Sequence, residues 1–401
     1  MSIPMRSANR QTIRQINEAL VLGVIHDHGP ISRTDIADLS NLSPATITGI
    51  MGKFIRQGLA REREAGASTG GRPPVLVEID RDAGCVVGVK LTETHLIAAL
   101  TDLGAEVLAQ RTTPIGNDKT PEAVVESLAR VIEALREEAP NRRFYGVGVG
   151  LAGAIDRRAG ICRFSPYLPW RDVPLRRLLR ARISSPVVIE NDVSALTLAE
   201  RWFGGGAGLS DFVVVTLGRG VGLGMVLDGR LYRGGHGAGG EFGHITMEID
   251  GPLCDCGKYG CLEALVGEPA LGRRIAAVCG PDATLAQGAD LARAGQPEAL
   301  AVFASAAQTL GLALAGVVNV LNPTRVIVGG EGVHTLDLLL EPLRTTLDTH
   351  CFDGLFADLD LIVEPWGDDA WARGAAGLML DELFHARVDL DRKPELAEAL
   401  A

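Results

Sequence analysis

Aromatic residues are scarce: four Trp, four Tyr and ten Phe make up only 4% of the 401 residues. A core must then come from Val, Leu, Ile and Ala, which the 46% hydrophobic fraction supplies. Positive charge is not in excess either. A net charge of −11 argues against a chain coated in nucleic acid. No stretch reads as a membrane span, and Met1-Ser2-Ile3-Pro4-Met5 lacks the charged flank and apolar run of a leader. Cysteine is limited to seven residues, four of them scattered (Cys85, Cys162, Cys279, Cys351), which suits a reducing cytoplasm better than a disulfide framework. Short repeats and low-complexity tracts are missing. The length exceeds one ordinary domain, so two or three are expected.

The charge that is present is uneven. Residues 1–80 hold nine basic and eight acidic side chains, whereas the other 321 hold 30 and 42. Only the first segment is electrostatically tolerable beside phosphate. Its pattern predicts an amphipathic helix over 9–28, with Ile13, Ile16, Leu20, Val21, Val24 and Ile25 on one stripe. Gly29-Pro30 stops it. Ser32 caps a short helix through Leu39, and Ser43 with Pro44 opens another that runs to about Gln57. Leu59 to Glu62 starts a strand, residues 65–74 form a tip, and Val75 to Ile79 returns. That order is a winged helix-turn-helix. Ser43, Ala45, Thr46, Thr48 and Lys53 would face DNA, since short side chains let a helix sit deep in the major groove. Arg72 on the wing suits a narrow minor groove. The plainer alternative is a winged helix used for protein contact. One such unit binds weakly, so a homodimer or tetramer on a two-fold operator is expected.

From Gly84 onward strands and helices alternate, which reads as a layered α/β domain. Strands are expected at Cys85–Val89, Leu96–Leu100, Glu106–Gln110 and from Tyr145, with a helix over Pro121–Glu138. A second, similar series starts at Asp211 and includes helices near 285–320 and a strand at Arg325. The expected division is a head over 1–80, a first lobe over 81–195 with a returning helix near 368–386, and a second lobe over 196–367.

The most specific block lies between Gly240 and Glu263. His244, Cys254, Cys256 and Cys261 offer one imidazole and three thiolates, the donor set of a closed structural zinc site. Free buried thiols and a core histidine are the plainer alternative. Glu241 and Glu263 bracket the cluster, which suggests a metal-shaped pocket for a hydroxyl-rich ligand.

Together with Thr69-Gly70-Gly71-Arg72-Pro73 and Glu190-Asn191-Asp192, this block resembles the transcriptional regulators of the ROK family, a group that also includes sugar kinases. The resemblance covers nearly the whole chain. It implies a two-lobed ribonuclease-H-like body, as in hexokinases and actin, with a sugar held between the lobes. It also implies sugar contacts from Asn191, Asp192, Glu241, His244 and Glu263, with Gly153 and Ala154 lining the site. Asn191 and Asp192 could equally serve as an ordinary helix cap. Many relatives carry Asn where Tyr167 stands, so glucose, xylose and N-acetylated sugars all stay open as effector. Kinase members carry Asp-x-Gly-Gly-Thr after the first strand, where this chain has Lys90-Leu91-Thr92-Glu93-Thr94. A carboxylate there repels triphosphate and the lost glycines close its approach. In the next loop Arg219 replaces a usual Thr. Paired Gly329-Gly330 survives but is weak support for a nucleotide site. The expectation is a sugar-responsive cytoplasmic repressor without enzymatic activity. A sugar kinase carrying a winged helix, or a pocket that docks a protein, are the competing readings.

Overall fold

The structure, a computed structural model, describes residues 10–64, 75–235 and 237–385. The chain forms two compact units. One holds the chain up to Val149, Pro174–Ile189 and the chain from Ala375, while the other holds Gly150–Val173 and Glu190–Gly374. The winged segment therefore groups with the first five-stranded sheet. Residues 150–173 and 190–195, expected in the first lobe, belong to the second unit instead.

The first unit opens with α1 (Arg10–His28), β1 (Ile31–Ser32), α2 (Arg33–Ser40), α3 (Pro44–Arg56), β2 (Ala60–Glu64) and β3 (Val75–Ile79). The caps read from sequence are present. The Ser32 side chain accepts from the Asp35 amide and the Ser43 side chain from the Thr46 amide, each satisfying an otherwise orphaned N–H. Val21, Leu22, Ile25, Ile36, Ile47, Met51, Phe54, Leu59 and Val77 are buried together as the head's apolar core. β1 is an addition to the expected hairpin. Its two residues pair with Leu76 and Val77 to give the order β1-β3-β2.

Lys53 makes a contact within the head. Its Nζ lies 2.9 Å from Glu18 Oε2, and Arg14 Nε lies 3.0 Å from Glu18 Oε1. The Glu18 side chain is only 9% exposed, so this pair pins α3 to α1. Arg72 lies outside the described residues.

Next come β4 (Gly84–Leu91), β5 (His95–Asp102), β6 (Val107–Pro114), α4 (Pro121–Arg136) and β7 (Arg143–Leu151). After them stand β8 (Ala154–Asp156), β9 (Ile161–Phe164), β10 (Arg171–Val173), α5 (Leu175–Arg180), β11 (Val187–Asn191) and α6 (Asp192–Phe203). The sheet order is β11-β7-β4-β5-β6. β4 is buried along its whole length, Lys90 included, which explains why its run is apolar up to Lys90 where an exposed face would alternate. The second unit continues with β12 (Phe212–Leu217), β13 (Val221–Leu227), β14 (Arg230–Leu231), α7 (Leu262–Val266), α8 (Glu268–Cys279), α9 (Leu285–Arg293), α10 (Pro297–Leu321), β15 (Arg325–Gly329), α11 (Leu336–His350), β16 (Asp360–Glu364) and α12 (Asp368–Phe384). Its sheet runs β14-β13-β12-β15-β16. Counted from each sheet's own first strand, both read 3-2-1-4-5. This is the ribonuclease-H-like arrangement, built twice.

The absence of any span-like stretch needs correcting. α10 is long and apolar enough to cross a membrane. The face of it that carries Val302, Phe303, Ala306, Leu310, Leu314 and Val318 is buried in the second unit's core, against Leu339, Leu343 and Leu347 of α11. Its hydropathy is what a core helix requires when alanine and leucine replace aromatics.

Replacing Glu18 with Ala leaves Lys53 half-buried without its carboxylate and should cost about 1–2 kcal/mol in urea denaturation, reduced from a fully buried pair by partial exposure. Arg14→Ala, at a side chain 70% exposed, should change stability by less than about 0.5 kcal/mol.

Candidate functional site

The chain between β14 and α7 is held by short-range pairing rather than by long strands. Phe242–His244 forms a single 3-10 turn, and isolated bridges join Thr246 to Cys261 and Leu253 to Tyr259. The Cys254 amide donates to Lys258 O at 2.8 Å, and Lys258 Nζ donates to His244 O at 2.7 Å. These contacts bring His244, Cys254, Cys256 and Cys261 together, with donor atoms all within 4.8 Å of one another. Cys254 Sγ is 3.6 Å from His244 Nδ1, and Cys256 Sγ is 3.7 Å from Cys261 Sγ. A zinc tetrahedron with bonds of about 2.3 Å to sulfur and 2.0 Å to nitrogen has edges of about 3.5–3.8 Å. The donor set and its spacing therefore fit zinc. Burial pushes the Cys254 thiol up to about 12, so a thiolate there needs a cation beside it. The Cys256 thiol lies low despite its own desolvation, because the Lys258 amide and the neighbouring thiols donate to it.

Glu263 lies in the first turn of α7, and Cys261 stands at that helix's N-cap. Its Oε2 accepts from the Val221 amide at 3.1 Å, and its Oε1 accepts from the Cys254 thiol at 3.9 Å. His244 turns Nδ1 to the thiols, while Nε2 lies 3.9 Å from Glu241 Oε2. Burial raises the Glu241 carboxyl above its ordinary range. His244 opposes this, and Glu263 and Asp192 add to it. Asp192, Glu241, His244 and Glu263 thus share one electrostatic neighbourhood in the second unit.

Asn191 caps α6, its Oδ1 accepting from the Ser194 amide at 3.1 Å, while its Nδ2 donates to Gly153 O at 3.2 Å. The helix cap expected at this residue is therefore present. Gly153 has φ +121, and a Cβ there would lie 2.1 Å from Phe164 O, so only glycine permits this crossing. Ala154 comes next, in β8.

Two features were not recognised from sequence. Glu190, 2% exposed, sits between Arg233 at 2.6 Å and Arg157 at 3.5 Å, which ties the loop after β14 to the end of β11. Also, Arg219 stacks its guanidinium 4.4 Å from the centroid of the Tyr167 ring. Arg219 stands where a Thr is usual and Tyr167 where many relatives carry Asn, and the two departures touch. Burial raises the Tyr167 hydroxyl far above its ordinary range, with Glu263 and Asp192 reinforcing the shift, so the ring borders the same carboxylates.

The β4–β5 turn answers the phosphate question. The Thr92 amide donates to His95 O at 3.0 Å, and the His95 amide donates to Thr92 Oγ1 at 3.0 Å. The Thr94 amide also reaches Thr92 Oγ1, at 3.3 Å. Amides that would cradle phosphate are spent within the hairpin, and Glu93 adds a like charge. In the head, Ser43, Ala45 and Thr48 are exposed on α3 and Thr46 is half-buried, with the Thr48 hydroxyl donating to Pro44 O at 2.9 Å.

Gly153→Ala should lower stability by about 2 kcal/mol or more in chemical denaturation, because both the φ and the space are wrong for a Cβ. A cost below about 0.5 kcal/mol would show that the crossing is not as tight as described.

Comparison with known proteins agrees with this geometry. The ROK family profile matches residues 86–382. The xylose repressor of Caldicellulosiruptor bescii is 31% identical over 393 residues, covering 94% of this chain and 98% of that protein. The DNA-binding transcriptional dual regulator NagC of Escherichia coli K12 is 29% identical over 366 residues, covering 88% and 90%. A crystal structure of a ROK family transcriptional regulator, a homolog of the E. coli MLC protein, superposes with a TM-score of 0.84 at 28% identity, covering 94% of this chain and 98% of that one. The whole chain, head included, is matched by regulators, and it belongs to the ROK family.

Proposed function

We propose that this protein is a sugar-responsive, DNA-binding repressor of carbohydrate-metabolism genes. The observation that carries this reading is a contrast between two parts of the chain. Asp192, Glu241, His244 and Glu263 converge around the cysteine cluster, while the β4–β5 turn has spent its amides on itself. Carboxylates and an imidazole suit paired donor-acceptor contacts to a monosaccharide's hydroxyls. Gly153, Ala154 and Asn191 shape that site. Regulators similar to this chain are named for xylose repression and as a dual regulator, and the protein is not an enzyme.

The His244, Cys254, Cys256 and Cys261 cluster holds structural zinc, whose chemistry is to neutralise the thiolates and fix the loop that carries Glu241 and Glu263. Residues 1–80 form the operator-binding head through Ser43, Ala45, Thr46, Thr48 and Arg72. Lys53 supports α3 from behind. Apolar side chains on the zinc loop, Ile249 at 86% exposure and Tyr259 at 60%, favour a homodimer, which two-fold operators demand. The work is done in the cytoplasm. The sugar must bind the DNA-competent and DNA-free states with different affinity, since only differential binding shifts the equilibrium.

Gel-shift titration of the full-length dimer against its own upstream promoter, with and without a monosaccharide panel, tests the reading. Binding to a palindromic site should weaken at least about fivefold with one sugar, and Asp192→Asn should abolish that response while leaving DNA affinity intact. Failure to bind any promoter palindrome would oppose it. Cys261→Ala should lose the tightly held zinc and lower Tm by about 5 °C or more, read by metal analysis and calorimetry.

A further inference from the structure

Outside the cysteine cluster, one other group of metal-ligating side chains converges among the described residues. His26 and Asp27 lie in the last turn of α1, and His385 directly follows α12. Their ligand atoms lie within 4.8 Å of one another. Asp27 Oδ1 is 3.0 Å from His26 Nδ1 and 3.1 Å from His385 Nε2, and Asp27 Oδ2 is 3.2 Å from the same Nε2. Nitrogen and oxygen ligands at about 2.0–2.1 Å from zinc form tetrahedral edges of about 3.3 Å; the two edges to Asp27 are close to that length, and the His26–His385 edge lies within 4.8 Å. We propose that His26, Asp27 and His385 form a second metal site, for a borderline divalent transition ion such as zinc, at the joint between the head's first helix and the end of α12.

Three observations support a built site over a chance cluster. The remaining ring nitrogen of His385 has a carboxylate nearby, Nδ1 lying 3.4 Å from Asp381 Oδ1 one turn earlier, an ion-pair distance without hydrogen-bond geometry. Metal-bound imidazoles commonly have a carboxylate beside their second nitrogen, which sets tautomer and ring orientation. The ring of His26 stacks on Phe384, with centroids 4.6 Å apart and planes 20° apart, which fixes its plane. Gly23 stands within α1, where glycine costs roughly 1 kcal/mol relative to alanine. A Cβ there would lie 3.2 Å from Phe384 O and 3.4 Å from His385 Cδ2, so its absence gives the end of α12 room to lie against α1.

The donor set selects the class of ion. Two imidazoles and one carboxylate suit zinc, cobalt or nickel, whereas calcium and magnesium prefer all-oxygen shells. With no thiolate, the site binds less firmly than the cysteine cluster. The side chains of His26, Asp27 and His385 keep 18%, 40% and 26% of their surface. A groove of about 430 Å³ lined by Leu20, Gly23, Val24, Asp27 and Phe384 opens beside them. Water can complete the coordination and the ion can exchange. α12 runs from the second unit into the first, so an ion here would brace the head in response to metal supply, independently of any sugar.

Cobalt titration of the full-length protein, with its cysteine cluster already loaded with zinc, tests the assignment. Cobalt bound by nitrogen and oxygen gives weak visible bands without thiolate charge transfer in the near ultraviolet. One saturating equivalent of this kind is expected, displaced by added zinc. Affinity should fall at least about tenfold in His385→Gln and in His26→Gln, and by about tenfold in Asp381→Asn. Circular dichroism checks that the variants fold, and zinc displacement in the unaltered protein carries the test if one does not. A wild-type titration without a saturable thiolate-free band, or bands unchanged in folded variants, would overturn the proposal and leave a hydrogen-bonded cluster only.

Discussion

The structure of the site depends on Glu263. One carboxylate oxygen accepts from the Val221 amide at the β12–β13 hairpin, and the other accepts from the Cys254 thiol. A single side chain therefore ties the cysteine cluster to the central strands of the second sheet. Loops built from turns and isolated bridges, such as Leu253 with Tyr259, have little cooperative pairing of their own. Side-chain contacts within the His244, Cys254, Cys256 and Cys261 cluster supplement that sparse pairing.

The same body shows how a phosphotransferase scaffold serves regulation. The sheets retain their doubled 3-2-1-4-5 order, so the fold itself does not distinguish kinase from regulator. The distinction lies in a few side chains. Thr92 closes the β4–β5 turn on itself. Arg219 rests on the Tyr167 ring, so each of these two departures from usual residues gives the other a contact. Asn191 serves two backbone partners at once, holding both Ser194 and Gly153.

Much of this was legible in the sequence where local chemistry decides the outcome. Ser32 and Ser43 as caps, the Gly29-Pro30 stop and the buried run of β4 obey rules that act within a few residues. The cysteine ligands were legible because their spacing is short. Contacts between distant positions escaped. β1 exists only through pairing with Val77, 46 residues after Ile31. The contact of Lys53 with Glu18, 35 residues earlier, was not foreseen. Glu190 between Arg157 and Arg233 is the same case, since no periodicity announces a long-range ion pair. α10 was misjudged by its composition, because hydropathy alone does not separate a core helix from a membrane span.

We propose that this chain binds carbohydrate and does not bind nucleotide. Isothermal titration of the zinc-loaded protein with monosaccharides, and separately with magnesium-ATP in the presence of the best of them, addresses both halves at once. Saturable heat is predicted from at least one sugar and none from magnesium-ATP. Saturable nucleotide binding accompanied by ADP release and a phosphorylated sugar would contradict it.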